Sequence, residues 1–158
     1  MKKAFELAET LLDTWLATHR GLDCYPPTVI NITDGAATDA KDDALLTITT
    51  RIKQRCTTDG HVLLLNVHLS GAAGSPTLFP SRADELPPDA YARLLYDLSS
   101  EMPASYHLAI ADLRREDLAR RYVGMSFNAD VAALVKFMNI GTPTTATAGV
   151  GSKLQPEP

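Results

Sequence analysis

The stretch His61-Val62-Leu63-Leu64-Leu65-Asn66-Val67-His68 constrains the fold more than any other part of the chain. It is a short apolar run that follows the Asp59-Gly60 turn, as a buried strand does. Side chains alternate between the two faces of a strand, so consecutive apolar residues mean that both faces are covered. Central parallel strands under helices have that character. The chain must therefore set other strands beside residues 61–68 and helices above and below them.

Two further strands are readable. Pro26-Pro27 lead into Thr28-Val29-Ile30-Asn31-Ile32-Thr33, a short β-branched run that Asp34-Gly35 ends. Residues 123–128 form the third. Helical spacing fills the intervals. Ala4, Ala8, Leu11, Leu12, Trp15 and Leu16 form one stripe, with Glu6, Glu9, Asp13 and Thr14 turned away and Gly21 as a stop. Leu45, Ile48, Ile52 and Cys56 form a second stripe, although the threonines of residues 46–50 favour strand. Thr38 or Asp39 is the candidate cap of that helix, with Asp42 and Asp43 in its first turn and Arg51, Lys53 and Arg55 near its end. Tyr91, Leu94, Leu95 and Leu98 mark a third helix. Tyr106, Ala109, Ile110 and Leu113 mark a fourth, and Val131, Leu134, Val135 and Met138 after Asp130 mark the last. Residues 70–88 read as a loop.

This order predicts an α/β fold, a Rossmann-like open parallel sheet flanked by helices and joined by right-handed crossovers. Residues 28–33, 61–68 and 123–128 are expected as neighbouring parallel strands in that spatial order. The domain spans residues 1–140. From Gly141 the composition is Gly, Thr, Ala and Pro without period, so 141–158 is expected as a disordered tail.

Composition removes several function classes. Fifteen Lys and Arg stand against nineteen Asp and Glu, for a net charge of −4. That balance gives no basic face for nucleic acid. No apolar run is long enough to cross a membrane, and the acidic, amphipathic residues 5–15 do not read as a signal peptide. Cys24 and Cys56 form no Cys-x-x-Cys pair and have no His at zinc spacing. They read as buried or half-buried thiols in a reducing compartment, with a disulfide left open by sequence alone and a cytoplasmic location as the default expectation.

Few residues suggest chemistry. Asp34 follows a buried strand, and a carboxylate there can ligate a hard cation such as Mg²⁺. Turn chemistry alone explains Asp34-Gly35, and the dipeptide by itself favours that reading. Thr33, Thr38, Asp39 and Asp42 crowd nearby without EF-hand spacing and read as caps and a solvated acidic turn. Gly71-Ala72-Ala73-Gly74-Ser75 lacks the Lys of a phosphate-binding loop and reads as a flexible connection. His68 with Ser70, or Asp34 with His61, are conceivable catalytic pairs, but no Gly-x-Ser-x-Gly elbow presents a nucleophile. Arg114, Arg115, Arg120 and Arg121 alternate with Asp112, Glu116 and Asp117, as on a salt-bridged solvated face.

The run from Pro26 to Gly35 resembles the fourth strand and acidic loop of a von Willebrand factor A (vWA) domain. Leu63-Leu64-Leu65-Asn66-Val67-His68-Leu69-Ser70 resembles the next strand. Leu78-Phe79-Pro80, Leu86-Pro87 and Tyr91-Ala92-Arg93-Leu94-Leu95 are similar to the loop and helix of bacterial stand-alone members. Phe127-Asn128-Ala129-Asp130 with Leu134-Val135-Lys136-Phe137-Met138 is similar to the last strand and helix. The resemblance covers residues 4–142. It implies that Asp34 belongs to a metal-ion-dependent adhesion site. The family's Asp-x-Ser-x-Ser, which provides the main ligands, is absent. Asp13-Thr14-Trp15 lies on a helix and is no substitute, and Thr10 is not the family's ligand threonine. Only Asp34 carries over, and the resemblance implies that the first half of the domain is missing from the sequence.

The implied function is protein–protein interaction without catalysis. The implied partner is a protein whose acidic side chain is gripped through a bound cation, with Mg²⁺ held weakly or not at all by this chain alone. Self-association through the open edge of Thr28–Thr33 is also expected. The alternatives are a small doubly wound α/β hydrolase-type enzyme using Asp34 and a strand-end His, or an inactive domain fragment.

Overall fold

The computed structural model describes residues 1–35, 38–69, 75–117 and 121–141. Its elements are α1 (Lys2–Thr18), β1 (Thr28–Thr33), α2 (Asp42–Gln54), β2 (Cys56–Thr57), β3 (Gly60–His61), β4 (Leu63–Leu69), β5 (Thr77–Leu78), α3 (Ala90–Leu98), α4 (His107–Arg114), β6 (Met125–Ala129) and α5 (Val131–Gly141). β4 runs through the centre, and Leu63 to Val67 are buried without a break. β1 lies parallel to it on one side, with Thr28 opposite Leu63 and Thr33 opposite His68. β6 lies parallel to it on the other side, and β5 adds an antiparallel edge, giving the order β1-β4-β6-β5. The fold is therefore α/β, with a mostly parallel open sheet flanked by helices, and the three expected strands are neighbours in the expected order.

Each face of the sheet carries its own core. Phe5 and Leu12 of α1, Leu45, Ile48 and Ile52 of α2, and Leu95 and Leu98 of α3 cover Leu64, Met125 and Phe127. Ile110 of α4 and Ala133 and Phe137 of α5, with Phe79, Met102 and Tyr122, cover Leu65, Val67 and Ala129. Each fully buried Leu, Ile or Phe in these layers is worth roughly 1.5–3 kcal/mol of apolar transfer. α2 and α3 lie over the central strands, and α1 packs against α2.

Several details differ from the sequence-based expectation. The buried face of α1 is Phe5 and Leu12, while Ala4 is exposed and Leu11 is 61% exposed. Glu9 and Asp13 turn toward α2, where Arg51 donates to Glu9 at 2.8 and 2.9 Å and Arg55 donates to Asp13 at 2.6 and 2.7 Å. Asp39 does not cap α2, whose N-cap is Lys41. Its carboxylate instead accepts from the Met1 ammonium and the Lys2 and Lys3 amides at 2.9–3.1 Å, closing the start of α1. These charge-assisted bonds hold the Asp39 carboxyl far below the usual carboxylate range. The threonines do not break α2: Thr47 and Thr49 bond back to Asp43 O and Leu45 O at 2.8 Å, and burial of Leu45, Ile48 and Ile52 holds the helix.

Cys56 has left the helix for the small β2–β3 hairpin and is exposed, Cys24 is half-buried, and both thiols are free. The loop expected over residues 70–88 contains β5 and a 3₁₀ turn at Ala83–Glu85. α5 reaches Gly141, and the tail beyond it lies outside the described residues, as do Ser70, residues 71–74 and Arg120. Among the described residues no helix is long and apolar enough to cross a membrane.

Candidate functional site

The carboxyl ends of β1, β4 and β6 meet the first turn of α3. Asp34 leaves β1 exposed at this rim. The hydroxyl of Thr33 beside it donates to Gly35 O at 2.7 Å and accepts from Gly35 N and Tyr91 Oη, both at 3.3 Å. Tyr91 is presented by α3, whose start is capped by Asp89 through the Tyr91 and Ala92 amides at 2.7 and 3.1 Å. Burial pushes the Tyr91 phenol up. The Thr33 bond acts against the shift, and the negative charge of Asp34 adds to it.

His68 ends the same rim on β4. Its ring stacks on Phe127 at 4.4 Å and meets the Tyr91 ring edge-on at 5.7 Å. Its Nδ1 is buried without a hydrogen-bond partner. Opposite His68 the β4–β6 register shifts, and Asn128 takes φ 55°, a left-handed conformation that Asn tolerates better than most residues. Asp130 then accepts from Ala133 N at 2.7 Å and caps α5.

A polar ladder supports this rim from below. Asn31 donates to Asn66 Oδ1 at 2.9 Å, Asn66 donates to Ser99 Oγ at 2.9 Å, and Ser99 donates to Leu95 O at 2.6 Å. Asn66 is fully buried. The ladder ties β1 and β4 to the end of α3 one step beneath Thr33 and His68. Sequence reasoning passed over it, although two asparagines inside apolar strands are the visible signal.

The donor set does not fit a resident Mg²⁺. Among the described residues no three His, Cys, Asp or Glu side chains come together to hold a metal. Asp34 belongs to no such group among the described residues, the Thr33 hydroxyl is already bonded, and Asp39 is committed to α1.

The conceivable catalytic pairs fare no better. His61 sits before Leu63, at the opposite end of the sheet from Asp34, because Leu63 is the register partner of Thr28. No described nucleophile is bonded to His68 Nδ1. The arginine cluster is not a purely solvated face. Arg114 is largely buried, donates to Phe79 O, pairs with Glu85 at 2.7 Å and Glu116 at 2.8 Å, and lies over the Tyr122 ring. Comparison of the chain with protein-family models, curated proteins and solved structures finds no match.

Proposed function

We propose that the chain is a vWA-like protein-binding module with an incomplete metal-ion-dependent adhesion site, acting in protein–protein interaction and not in catalysis. The observation that supports the reading best is Asp34 at the carboxyl end of an edge strand. Open α/β sheets bind ligands outside the carboxyl ends, where the strand order reverses. Here β1 is the parallel edge of the sheet, and among the described residues no strand lies beyond it. A protein strand laid along β1 would end beside Asp34. Mg²⁺ takes about six oxygens in near-octahedral geometry. Of the family's ligands the sequence keeps only Asp34, so the remaining oxygens would come from water and from the bound protein.

Calorimetric titration of the chain with Mg²⁺ and Mn²⁺ tests the incomplete site. No saturable binding at low micromolar concentration is expected. Tight binding abolished by Asp34→Ala would overturn the reading by showing that local residues rebuild the site.

A second reading, a small doubly wound α/β hydrolase-type enzyme, is favoured by the buried, unpartnered Nδ1 of His68 beside Tyr91. It predicts turnover of a simple ester, phosphate or peptide that disappears in His68→Ala. The binding reading predicts none.

A further inference from the structure

The sheet ends differently on its two sides. β5 is two residues long, antiparallel, and set between Pro76 and Pro80. Very short edges bounded by proline discourage further pairing. β1 is six residues long, Thr28-Val29-Ile30-Asn31-Ile32-Thr33, with no charge and no proline. None of its residues is fully buried, and Ile32 is 48% exposed.

The ladder fixes which backbone groups are open. Leu63 N donates to Pro27 O at 3.3 Å at its start. In a parallel pair alternate residues of a strand direct both N–H and C=O to the same neighbour. Counting from Pro27, residues Val29, Asn31 and Thr33 face β4, whereas Thr28, Ile30 and Ile32 face outward. Among the described residues no strand takes up the outward groups.

Resting on the open-edge reading above, and naming its partner, we infer that this chain pairs with a second copy of itself, β1 against β1, antiparallel about a two-fold axis at Ile30. Ile30 then faces Ile30 of the second copy, and Thr28 faces Ile32. All are outward residues, so each opposed pair exchanges both N–H···O=C bonds. Val29 faces Asn31 on the other sheet face. Ile and Thr are favourable cross-strand neighbours.

Charge permits the register. The six strand residues are uncharged, and the first carboxylate, Asp34, falls opposite Pro26 of the second copy. Symmetry favours it as well. An isologous pair consumes both open edges at once, so the merged sheet ends only in the two blunted β5 edges. A stable interface needs about 800 Å² per copy. Six strand residues alone fall short of that area. Further apolar surface from outside the strand is therefore required, and exposed apolar side chains are present on the chain, Ile32 on the strand itself among them.

The test uses the full chain. Sedimentation across micromolar to near-millimolar concentration is expected to show a reversible monomer–dimer equilibrium. Ile32→Lys, at an exposed position, is expected to weaken the dimer about tenfold or more with an unchanged circular dichroism spectrum. The register is read with Thr28→Cys and Ile32→Cys chains, both carrying Cys24→Ser and Cys56→Ser. Mixed, they place the new thiols on Cα atoms about 5.5 Å apart, and a short bifunctional thiol reagent joins them. Ile32→Cys alone places its two thiols about 14 Å apart along the strands and stays unjoined.

A monomer at every concentration overturns the inference. If the Thr28, Ile30 and Ile32 amides then exchange rapidly, the edge is free and the protein-binding reading survives without a second copy. If they are protected, the chain covers its own edge and both readings fail. A monomer that dimerises only after removal of residues 142–158 assigns the edge to that segment and also overturns the inference. So does a dimer whose mixed thiols do not cross-link.

Discussion

Asn66 is the polar residue on which β1, β4 and α3 converge. It is fully buried, accepts from Asn31 and donates to Ser99. Removing it leaves the Asn31 amide and the Ser99 hydroxyl short of a bond and opens a small void. Asn66→Ala is expected to cost about 2–4 kcal/mol in urea unfolding at unchanged m-value. Asn31→Ala and the double variant should be non-additive by about 1 kcal/mol, since the two amides share one bond. Additive losses would show that the ladder is not a unit. Glu85 carries a second residue-scale prediction. Burial alone would raise its carboxyl, but bonds from Ser81 and Arg114 outweigh burial and hold it below its ordinary value of 4.5. A depressed folded pKa contributes stability that is present above that ordinary value and is lost as pH falls through the folded one. Thermal unfolding at about pH 7 and about pH 3 should therefore show a smaller acid loss for Glu85→Gln than for the native chain. Equal losses would remove Glu85 from the acid response.

At the scale of elements, β4 and β6 are held close by Gly124. A Cβ there would run into Leu65 Cδ2 and would lie 3.1 Å from Met102 Sδ. Leu65 is fully buried, so its side chain would have to shift within the core to admit the methyl. Gly124→Ala should cost roughly 1–3 kcal/mol, read as a lower midpoint in denaturant. An unchanged midpoint would mean that the strands can part without loss. The same elements show what a sequence can and cannot reveal. β1 and β4 were legible because β-branched and unbroken apolar runs carry their own signal. β5 was not, because two residues have no period. Tertiary bonds from Phe79 N to Met125 O and from Val123 N to Pro80 O, both at 2.9 Å, follow it directly and tie its segment to β6 and the residues before it. The face of α1 was misjudged because Leu11 and Leu12 are adjacent, and period alone cannot choose between them. Phe5 decides: it lies two turns before Leu12 on the same face, and the two are the buried residues of the helix. At the rim, Asp34 was legible as a strand-end carboxylate. Tyr91 was not, since its bond to Thr33 spans 58 positions.

Across the whole molecule, stability is expected to fall from the centre of the sheet toward β1 and α1. β4 is covered on both faces and paired on both sides, whereas β1 is paired on one side only. α1 rests on α2 through Phe5 and Leu12 and is otherwise held by charges: Glu9 with Arg51 and Arg55, Asp13 with Arg55, and Asp39 with the helix start. These pairs lie near the surface, where solvent and salt screen them. At about 1 M ionic strength the Debye length falls to about 3 Å. Added NaCl should therefore weaken the docking of α1 while leaving the apolar packing of β4 and β6 intact. Native-state hydrogen exchange is expected to show α1 opening at a lower free energy than the central strands, and the gap should widen as NaCl is raised. Uniform protection of α1, β4 and β6 at every salt concentration would contradict this. It would mean that Phe5 and Leu12, not the ion pairs, bind the first helix into a single cooperative unit.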